Sequence, residues 1–566
     1  MRGAWLALLL LAGCASAPPA TRHFVVASAH PLATDAGYEM LKAGGSAMDA
    51  GIAVQLVLTL VEPQSSGIGG GVFVVYHDGK QVQTIDGRET APAAATPDLF
   101  MKSGQPMGFL DGAIGGRSVG VPGALRALEL AHRQHGKLPW VRLFEPAIRL
   151  AESGFVIGPR LAAALSDPGV AASLKRDADA AAYFYDTNGS PRVQGALLRN
   201  PQLAATLREV AQRGAVALHE GPIARDIVTK VRGHETNPGL MTEADLAGYS
   251  AKVREPVCFD YRAWRVCGMG PPSSGALALG QALGMLSSRD LAALPPSGSV
   301  LDPQAVHLIT EAYRLAYADR DRYVADTDFV PLPGGSAQAL LSPAYLAQRA
   351  ALIGERSMRH AEPGVPLPSV PVSLADDRSP ELPSTSHVSV VDGEGQSLAM
   401  TMTIENVFGS RLMTHGFVLN NELTDFSFVP SVNGVPVANR VEGGKRPRSS
   451  MSPTLVFDRT SGQLLISVGS PGGPFIITFV GKALIGVLDW KLPLQQAMAL
   501  PNFGSRNGPT ELEMRPDTAA LAEALQALGH EVRLMRLSSG LNGVERDGGA
   551  WVGGTDPRGE GSVRGE

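Results

Sequence analysis

The chain has 566 residues, of which 44% are hydrophobic and 18% charged, so it can bury a large core. Its formal net charge of −5 reflects no basic excess, which argues against a nucleic-acid-binding protein. The 65 glycines follow no fixed period, which excludes collagen-like and low-complexity chains.

Residues 1–14 predict an export signal, because Arg2 precedes a short apolar run and small residues lead to Cys14. The run is too short to span a bilayer as a helix of the mature protein. Leu11-Ala12-Gly13-Cys14 has the pattern of a bacterial lipobox, so we interpret 1–14 as a lipoprotein-type signal segment ending at a lipidated Cys14. We therefore expect a periplasmic protein anchored by lipid to a bacterial outer membrane. An ordinary secretory signal with an incidental cysteine is the alternative.

Residues 30–60 have a helical pattern that Gly44-Gly45 divides into two helices. The stretch 47–61 is apolar nearly all round, which is typical of a helix buried in a layered core. The glycine run 67–71 precedes a strand over 72–76 and opens no helix, so it is not a dinucleotide-binding fingerprint.

Residues from about 120 to 250 are predicted to be mostly helical, and 304–326 to form a long amphipathic helix. From Thr385 onward, strand patterns dominate until helices near 492–500 and 517–528.

The other two cysteines, Cys258 and Cys267, flank a predicted β-hairpin. If its loop is Arg262-Ala263, strand pairing places the cysteines opposite each other, about 4.5 Å apart between Cα atoms. We expect a disulfide in an oxidising periplasm, with two reduced thiols as the alternative. No Cys or His cluster has metal-ligand spacing, so neither a metal nor a cofactor is expected.

A cluster of small hydroxyl residues, Ser384-Thr385-Ser386, ends the Pro-rich polar connection 361–384 and runs into a predicted strand. If the chain is cut between Ser384 and Thr385, the new α-amine lies beside the Thr385 hydroxyl. An α-amine titrates near ~7.7–8.0 and can accept the hydroxyl proton, so one residue can supply both nucleophile and base. Taken alone, the cluster is more typical of an ordinary polar strand entry.

Six further motifs surround this cluster. They are Glu62-Pro63-Gln64-Ser65-Ser66-Gly67-Ile68-Gly69-Gly70-Gly71, Asp86-Gly87-Arg88-Glu89, Thr401-Met402-Thr403-Ile404-Glu405, Asn420-Asn421-Glu422-Leu423-Thr424-Asp425, Arg446-Pro447-Arg448-Ser449-Ser450 and Gly469-Ser470-Pro471-Gly472-Gly473. In this order and at these spacings, they resemble the motifs of the γ-glutamyltransferase family, the self-processing N-terminal-nucleophile enzymes that cleave glutathione. The resemblance covers the chain from about Ala27 to its end.

The resemblance implies an α+β fold, the four-layer αββα sandwich of N-terminal-nucleophile hydrolases, formed by two autoprocessed subunits. Cleavage between Ser384 and Thr385 is expected to give a large subunit, 15–384, and a small subunit, 385–566, which together form one globular unit.

Catalytic roles follow from the motif positions. Thr385 is the expected nucleophile, and Thr403 is the expected threonine that hydrogen-bonds it. Gly472 and Gly473 are the expected oxyanion pair, because glycine lets backbone N–H groups approach a developing charge. Outside these motifs, Thr403 would be an ordinary strand residue and the glycines a plain turn.

The resemblance also implies a clamp on both charges of a γ-glutamyl group. Arg88, Ser449 and Ser450 are expected to bind its α-carboxylate. Asp425 and Glu422 are expected to bind its α-ammonium.

Two features depart from the family pattern. Glu405 stands where better-studied members have Asn. It is expected to be a further substrate-binding carboxylate beside the α-ammonium, which either strengthens the capture of the donor or changes which donors are accepted. The stretch 428–444 occupies the place of the substrate lid but contains no Tyr or Trp, so hydrolysis is expected to be favoured over transpeptidation.

The sequence thus predicts a γ-glutamyl hydrolase or transpeptidase that transfers the glutamyl group of glutathione, or of another γ-glutamyl compound, to water or an amine. One alternative is a glutaryl- or cephalosporin-type acylase of the same superfamily, and another is an uncleaved lipoprotein that binds peptides. The expected partners are the substrate, the two subunits of one precursor and, through the lipid anchor only, a membrane; nucleic acid is not among them.

Overall fold

The computed structural model of the protein describes residues 23–367, 373–378 and 384–566. The predicted signal segment with Cys14 lies outside the described residues, as does most of the stretch 368–383. In the described part of the chain, no helix combines the length and the apolar character needed to cross a membrane.

Two large antiparallel β-sheets lie at the centre of the fold. Their strands are, in chain order, β1 (Val25–Ser28), β2 (Gly71–His77), β3 (Val82–Gly87), β4 (Lys252–Arg254), β5 (Val257–Tyr261), β6 (Trp264–Gly268), β7 (Ser386–Val391), β8 (Ser397–Thr403), β9 (Thr454–Asp458), β10 (Leu464–Gly469), β11 (Asn542–Asp547), β12 (Ala550–Thr555) and β13 (Ser562–Gly565). The order is β13-β1-β7-β8-β2-β3-β4 in the seven-stranded sheet and β12-β11-β10-β9-β6-β5 in the six-stranded sheet. Each sheet therefore combines strands from before and after the 384–385 peptide bond.

Helices cover the outer face of each sheet. The α-helices of the described residues are, in chain order, α1 (Pro31–Lys42), α2 (Ala47–Val61), α3 (Phe109–Ala113), α4 (Ala124–His135), α5 (Glu145–Ser153), α6 (Pro159–Ser166), α7 (Pro168–Leu174), α8 (Ala178–Phe184), α9 (Pro201–Arg213), α10 (Val216–His219), α11 (Pro222–Arg232), α12 (Glu243–Gly248), α13 (Gly275–Leu286), α14 (Pro303–Tyr323), α15 (Gln338–Leu341), α16 (Pro343–Ala350), α17 (Ile476–Leu488), α18 (Leu494–Ala499) and α19 (Ala519–Ala527). Helices α2 and α4 contact the seven-stranded sheet, and α13 and α17 contact the six-stranded sheet. These layers confirm the predicted four-layer αββα sandwich.

Strand β2 illustrates why the central strands are apolar throughout. Val72 and Val74 pack against the helices, whereas Phe73 and Val75 face the second sheet. A strand covered on both faces has no exposed side, so its sequence shows no polar alternation.

The predicted pair of helices near the N-terminus is confirmed as α1 and α2. Ser46 and Asp49 form a reciprocal capping box that starts α2. Every residue of α2 is buried, as its nearly uniform apolar sequence predicts. Gly51 on α2 lets the helix approach the sheet, because a Cβ there would stand 2.1 Å from Leu398 Cδ2.

One prediction about secondary structure is wrong. Strands were expected from Thr385 until about residue 492, but Ile476–Leu488 forms helix α17, almost entirely buried. Its apolar residues, several of them β-branched, resemble a buried strand, and periodicity alone does not separate the two. The run is long for a strand, and burial against the six-stranded sheet overrides the low helix propensity of its β-branched residues.

The predicted hairpin is formed by β5 and β6, whose register places Cys258 opposite Cys267. The two cysteines form a disulfide with a Cα separation of 4.1 Å. Disulfides persist in oxidising compartments, so this bond fits the expected export.

We expect the disulfide to stabilise the protein by about 2–3 kcal/mol, because it closes a short loop in the unfolded chain. A Cys258→Ser/Cys267→Ser variant should therefore have a lower Tm than the oxidised wild type and should unfold like the reduced wild type. Intact mass after alkylation, with and without reductant, measures the bond directly. Two thiols that alkylate freely in the unreduced protein would contradict the prediction.

Candidate active site

The candidate active site lies at one end of the paired strands β7 and β8. Their register pairs Ser386 with Met402, so Thr385, which precedes β7, stands beside Thr403, which ends β8. Thr385 and Thr403 are each only 3% exposed. The two threonines thus share one face of the seven-stranded sheet.

Both threonine hydroxyls face the carbonyl of Ser384. Thr385 Oγ1 donates a hydrogen bond to Ser384 O. Thr403 Oγ1 lies 3.5 Å from the same oxygen and accepts a 2.8 Å hydrogen bond from the Glu405 N–H. The predicted nucleophile and its predicted partner therefore lie at the peptide bond expected to be cut.

The predicted oxyanion glycines lie between β10 and α17. Gly472 and Gly473 have φ values of 137° and 56°, which favour glycine. A Cβ on Gly472 would stand 2.6 Å from the ring of Phe479. Gly473 lines the same cavity as Thr385, and Gly472 is the residue that precedes Gly473 in the chain.

Arg88 is fully buried, and each of the three guanidinium nitrogens has a hydrogen-bond partner. Nε donates to Pro447 O at 3.2 Å, and Nη2 donates to Arg448 O at 3.0 Å. The guanidinium also forms ion pairs with Glu422 and Asp425. Burial lowers the pKa of Arg88, but the neighbouring carboxylates outweigh burial and raise it above its ordinary value. The acids predicted for the α-ammonium thus contact the arginine predicted for the α-carboxylate.

Glu405 follows Ile404 in a strained turn at the end of β8, with φ of 74°. Its Oε2 accepts hydrogen bonds from Asn421 Nδ2 and from Thr424 Oγ1. Its Oε1 is buried without a hydrogen-bond partner among the described residues. Burial, together with Asp425 and Glu422, raises the pKa of Glu405 well above its ordinary value. Glu405 therefore offers one unsatisfied oxygen to the site.

The predicted serine pair completes the site. The Ser449 N–H donates to Pro272 O at 2.9 Å, and Ser449 O accepts from the Ser274 hydroxyl at 2.8 Å. Ser450 Oγ accepts a 2.7 Å hydrogen bond from Arg320 Nη2. Helix α14, which carries Arg320, thus orients a serine that comes from a different part of the chain.

The cavity between these side chains measures about 20 Å³, roughly the room one water molecule needs. Its lining consists of Arg88, Ser384, Thr385, Thr403, Glu405, Glu422, Asp425, Ser449, Ser450, Met451, Gly473 and Ile476. Of the residues predicted for catalysis and donor binding, all but Gly472 line it. In the uncut chain, the site has no room for a glutamyl group.

The family model described as Gamma-glutamyltranspeptidase matches residues 33–565. The chain belongs to the γ-glutamyltranspeptidase family. This confirms the family resemblance and, with the fold, the prediction of an enzyme of the N-terminal-nucleophile class.

Relatives of this γ-glutamyltranspeptidase family member carry two kinds of name. "Glutathione hydrolase proenzyme" of Bacillus subtilis is 36% identical over 85% of this chain and 80% of its own length. "Acylase ACY 1 proenzyme" of a Pseudomonas strain is 34% identical over 94% of this chain and 91% of its own length. Among solved structures, the cephalosporin acylase from Bacillus halodurans has a TM-score of 0.81 at 26% identity, covering 98% of this chain and 99% of that one.

Two residues of this γ-glutamyltranspeptidase site were not predicted from the sequence. Glu89 is fully buried, and its Oε2 lies 3.9 Å from Arg88 Nη1. Burial and the neighbouring Glu422 raise the pKa of Glu89 well above its ordinary value. The second residue is Arg320. The sequence indicates its neighbours on helix α14 but not its contact with Ser450. Glu89 follows Arg88 in the motif Asp86-Gly87-Arg88-Glu89, so its position could have identified it.

Proposed function

We propose that this protein is a self-processing γ-glutamyl hydrolase and transpeptidase that acts on glutathione or a related γ-glutamyl amide. One observation carries the proposal. The hydroxyls of Thr385 and Thr403 face the Ser384 carbonyl in a cavity also lined by Arg88 and its acidic partners. A threonine that becomes a chain terminus and a charged clamp for an amino acid are thus side by side.

Self-cleavage uses the Thr385 hydroxyl. Its Oγ adds to the Ser384 carbonyl carbon, the hydroxyl proton passes to the Thr385 nitrogen, and the C–N bond breaks. An ester between Ser384 and Thr385 Oγ remains, and water hydrolyses it to a Ser384 carboxylate and a free Thr385 hydroxyl. The chain up to Ser384 and residues 385–566 are then the two subunits, and Thr385 carries a free α-amine.

Turnover repeats the chemistry on a donor. The α-amine accepts the Thr385 hydroxyl proton while Oγ attacks the γ-carbonyl, and the N–H groups of Gly472 and Gly473 stabilise the oxyanion. The amine product takes the proton and leaves, so a γ-glutamyl ester of Thr385 remains. Water or an acceptor amine then attacks this ester and releases glutamate or a new γ-glutamyl amide.

The donor clamp supports a glutamyl substrate over a glutaryl one. Arg88, Ser449 and Ser450 offer donors for an α-carboxylate once the ion pairs of Arg88 rearrange. Asp425, Glu422 and Glu405 offer carboxylates for an α-ammonium, which a glutaryl group lacks. The acylase names among the relatives keep the glutaryl reaction as the second candidate.

Purified protein should be assayed with a γ-glutamyl amide and with the matching glutaryl amide, which differ only in the α-ammonium. Faster release from the γ-glutamyl amide supports the proposal, and faster release from the glutaryl amide replaces it with an acylase. A single uncut chain that releases neither product leaves only the peptide-binding alternative.

We expect the KM for a γ-glutamyl amide to fall as the pH rises above the ordinary titration range of a glutamate. Burial and the neighbouring Asp425 and Glu422 raise the pKa of Glu405 and so favour its protonated carboxyl in the empty site, whereas only the ionised form pairs with the donor's α-ammonium. Glu405→Gln should raise the KM about tenfold or more and flatten this pH dependence. An unchanged KM and pH profile in Glu405→Gln would contradict the assigned role.

We expect hydrolysis to exceed transpeptidation. The lid stretch begins with Phe428, which is buried and stacks on Phe100 with ring centroids 4.4 Å apart. Its tip is the exposed hairpin turn Asn433-Gly434, so no aromatic ring of the stretch closes over the site. Product ratios with glycylglycine as acceptor measure the partition, and predominant transpeptidation would contradict it.

We also propose that the protein is periplasmic and is anchored to the outer membrane through a lipid on Cys14. The lipobox pattern of residues 11–14 and the Cys258–Cys267 disulfide support this location. Membrane fractionation of wild type and Cys14→Ser tests it, because Cys14→Ser should leave the membrane fraction.

A further inference from the structure

The residue that follows the proposed nucleophile donates a hydrogen bond to a buried carboxylate. Ser386 Oγ donates a 2.6 Å hydrogen bond to Glu62 Oε2 and lies 3.2 Å from Ser66 Oγ. Ser386 and Glu62 are both completely buried. Because successive strand residues point to opposite faces, this contact holds the chain from the face opposite the Thr385 side chain.

Glu62 is itself firmly held. It directly follows helix α2, and its backbone carbonyl accepts hydrogen bonds from the N–H groups of Ser65 and Ser66 at 2.9 and 3.2 Å. Its second carboxylate oxygen, Oε1, pairs with Arg160. Each oxygen of the Glu62 carboxylate thus has one partner, and Glu62 lies at the C-terminal end of a buried helix.

The residue on the other side of the scissile bond makes a separate contact with the same turn. Ser384 Oγ donates to Gln64 O at 2.9 Å, and this oxygen also accepts the Phe408 N–H at 3.1 Å. Cleavage separates Ser384 from Thr385, whereas Ser386 remains bonded to it. The Gln64 contact can therefore hold Thr385 only in the uncut chain.

We propose that the Ser386–Glu62 hydrogen bond positions Thr385 for both self-cleavage and turnover, and that the Ser384–Gln64 contact acts in self-cleavage alone. Cleavage turns Thr385 into a chain terminus, and termini lose order unless a neighbouring residue ties them down. Ser386 is the first residue that can do so. Its role rests on the proposed function, because both reactions use the Thr385 hydroxyl.

The test compares Ser386→Ala, Ser386→Thr and Ser384→Ala with wild type. Ser397→Ala is the matched control, because it removes another buried sheet hydroxyl, one that donates to Val390 O at 3.1 Å. Intact mass against time gives the cleavage rate. Assays of the fully cleaved fraction with a γ-glutamyl amide give kcat and KM, and thermal unfolding gives Tm.

Misplacing a nucleophile by about 1 Å can cost roughly 100-fold in rate. We expect Ser386→Ala to slow cleavage and to lower kcat, each by about tenfold to 100-fold, with KM within about twofold of wild type. Ser386→Thr should restore both rates, because it keeps the hydroxyl. Ser384→Ala should slow cleavage but leave the kcat of the cleaved enzyme unchanged, and Ser397→Ala should behave as wild type.

Wild-type rates in Ser386→Ala, or a lower Tm with both rates intact, would overturn the positioning role. So would a loss confined to KM, which would indicate contact with the substrate. A wild type that cleaves but releases no γ-glutamyl product would defeat the proposed function alone, because the cleavage rates of the variants would still decide the role of Ser386. A wild type that does neither overturns both.

Discussion

Thr385→Ala should give a single uncut chain in which γ-glutamyl release falls roughly 10⁴-fold or more. The variant lacks the oxygen that attacks the Ser384 carbonyl, so neither the α-amine nor the acyl-enzyme can form. Intact mass of the purified protein measures the cut, and amine release from a γ-glutamyl amide measures turnover.

Thr385→Ser is the matched control. It keeps a hydroxyl and, after cleavage, an α-amine, but its loss of the methyl group frees χ1. It should therefore cleave and turn over, more slowly than wild type. Fragments that break before residue 385 in Thr385→Ala would show that another group performs the cleavage.

Arg88→Met should reduce both activity and stability. It leaves Glu422 and Asp425 without their buried counter-charge, a loss of about 3–5 kcal/mol for buried pairs of this kind. The donor's α-carboxylate also loses its cationic partner, so KM should rise by about 100-fold. Thermal unfolding and steady-state kinetics measure the two losses.

A second variant separates stability from binding. Arg88→Met combined with Glu422→Gln removes one of the uncompensated carboxylates, so Tm should recover towards wild type. The KM should stay high, because no cation returns to the site. A single Arg88→Met variant with unchanged KM would contradict the assignment of Arg88 to the α-carboxylate.

The motifs around Thr385 contain most of the residues that line the cavity, because each motif is a short segment with a recognisable pattern. Their mutual contacts could not be predicted, since Arg88 and Glu422 are 334 residues apart in sequence. No local pattern indicates that this arginine is already occupied by the acids in the uncut chain. The same holds for Ser386 and Glu62, which are 324 residues apart.

The fold was predicted best where the sequence pattern has one interpretation. Helix α2 has no polar face, and its length and capping box leave helix as the consistent assignment. Helix α17 was missed because its β-branched residues favour a strand locally, and only packing against the six-stranded sheet decides otherwise. Burial in the tertiary structure, and not local propensity, therefore determines that this segment is a helix.

The mixing of strands in the seven-stranded sheet has a kinetic consequence. Strand β1 comes from before residue 384 and lies between β13 and β7, which come from after it. The uncut chain can assemble this sheet in a first-order reaction, whose half-time does not depend on the protein concentration. Once cut, the two pieces must meet before they can refold, so recovery from denaturant becomes second order and slows on dilution. Cleavage thereby makes the order of events irreversible, with folding first and catalysis second.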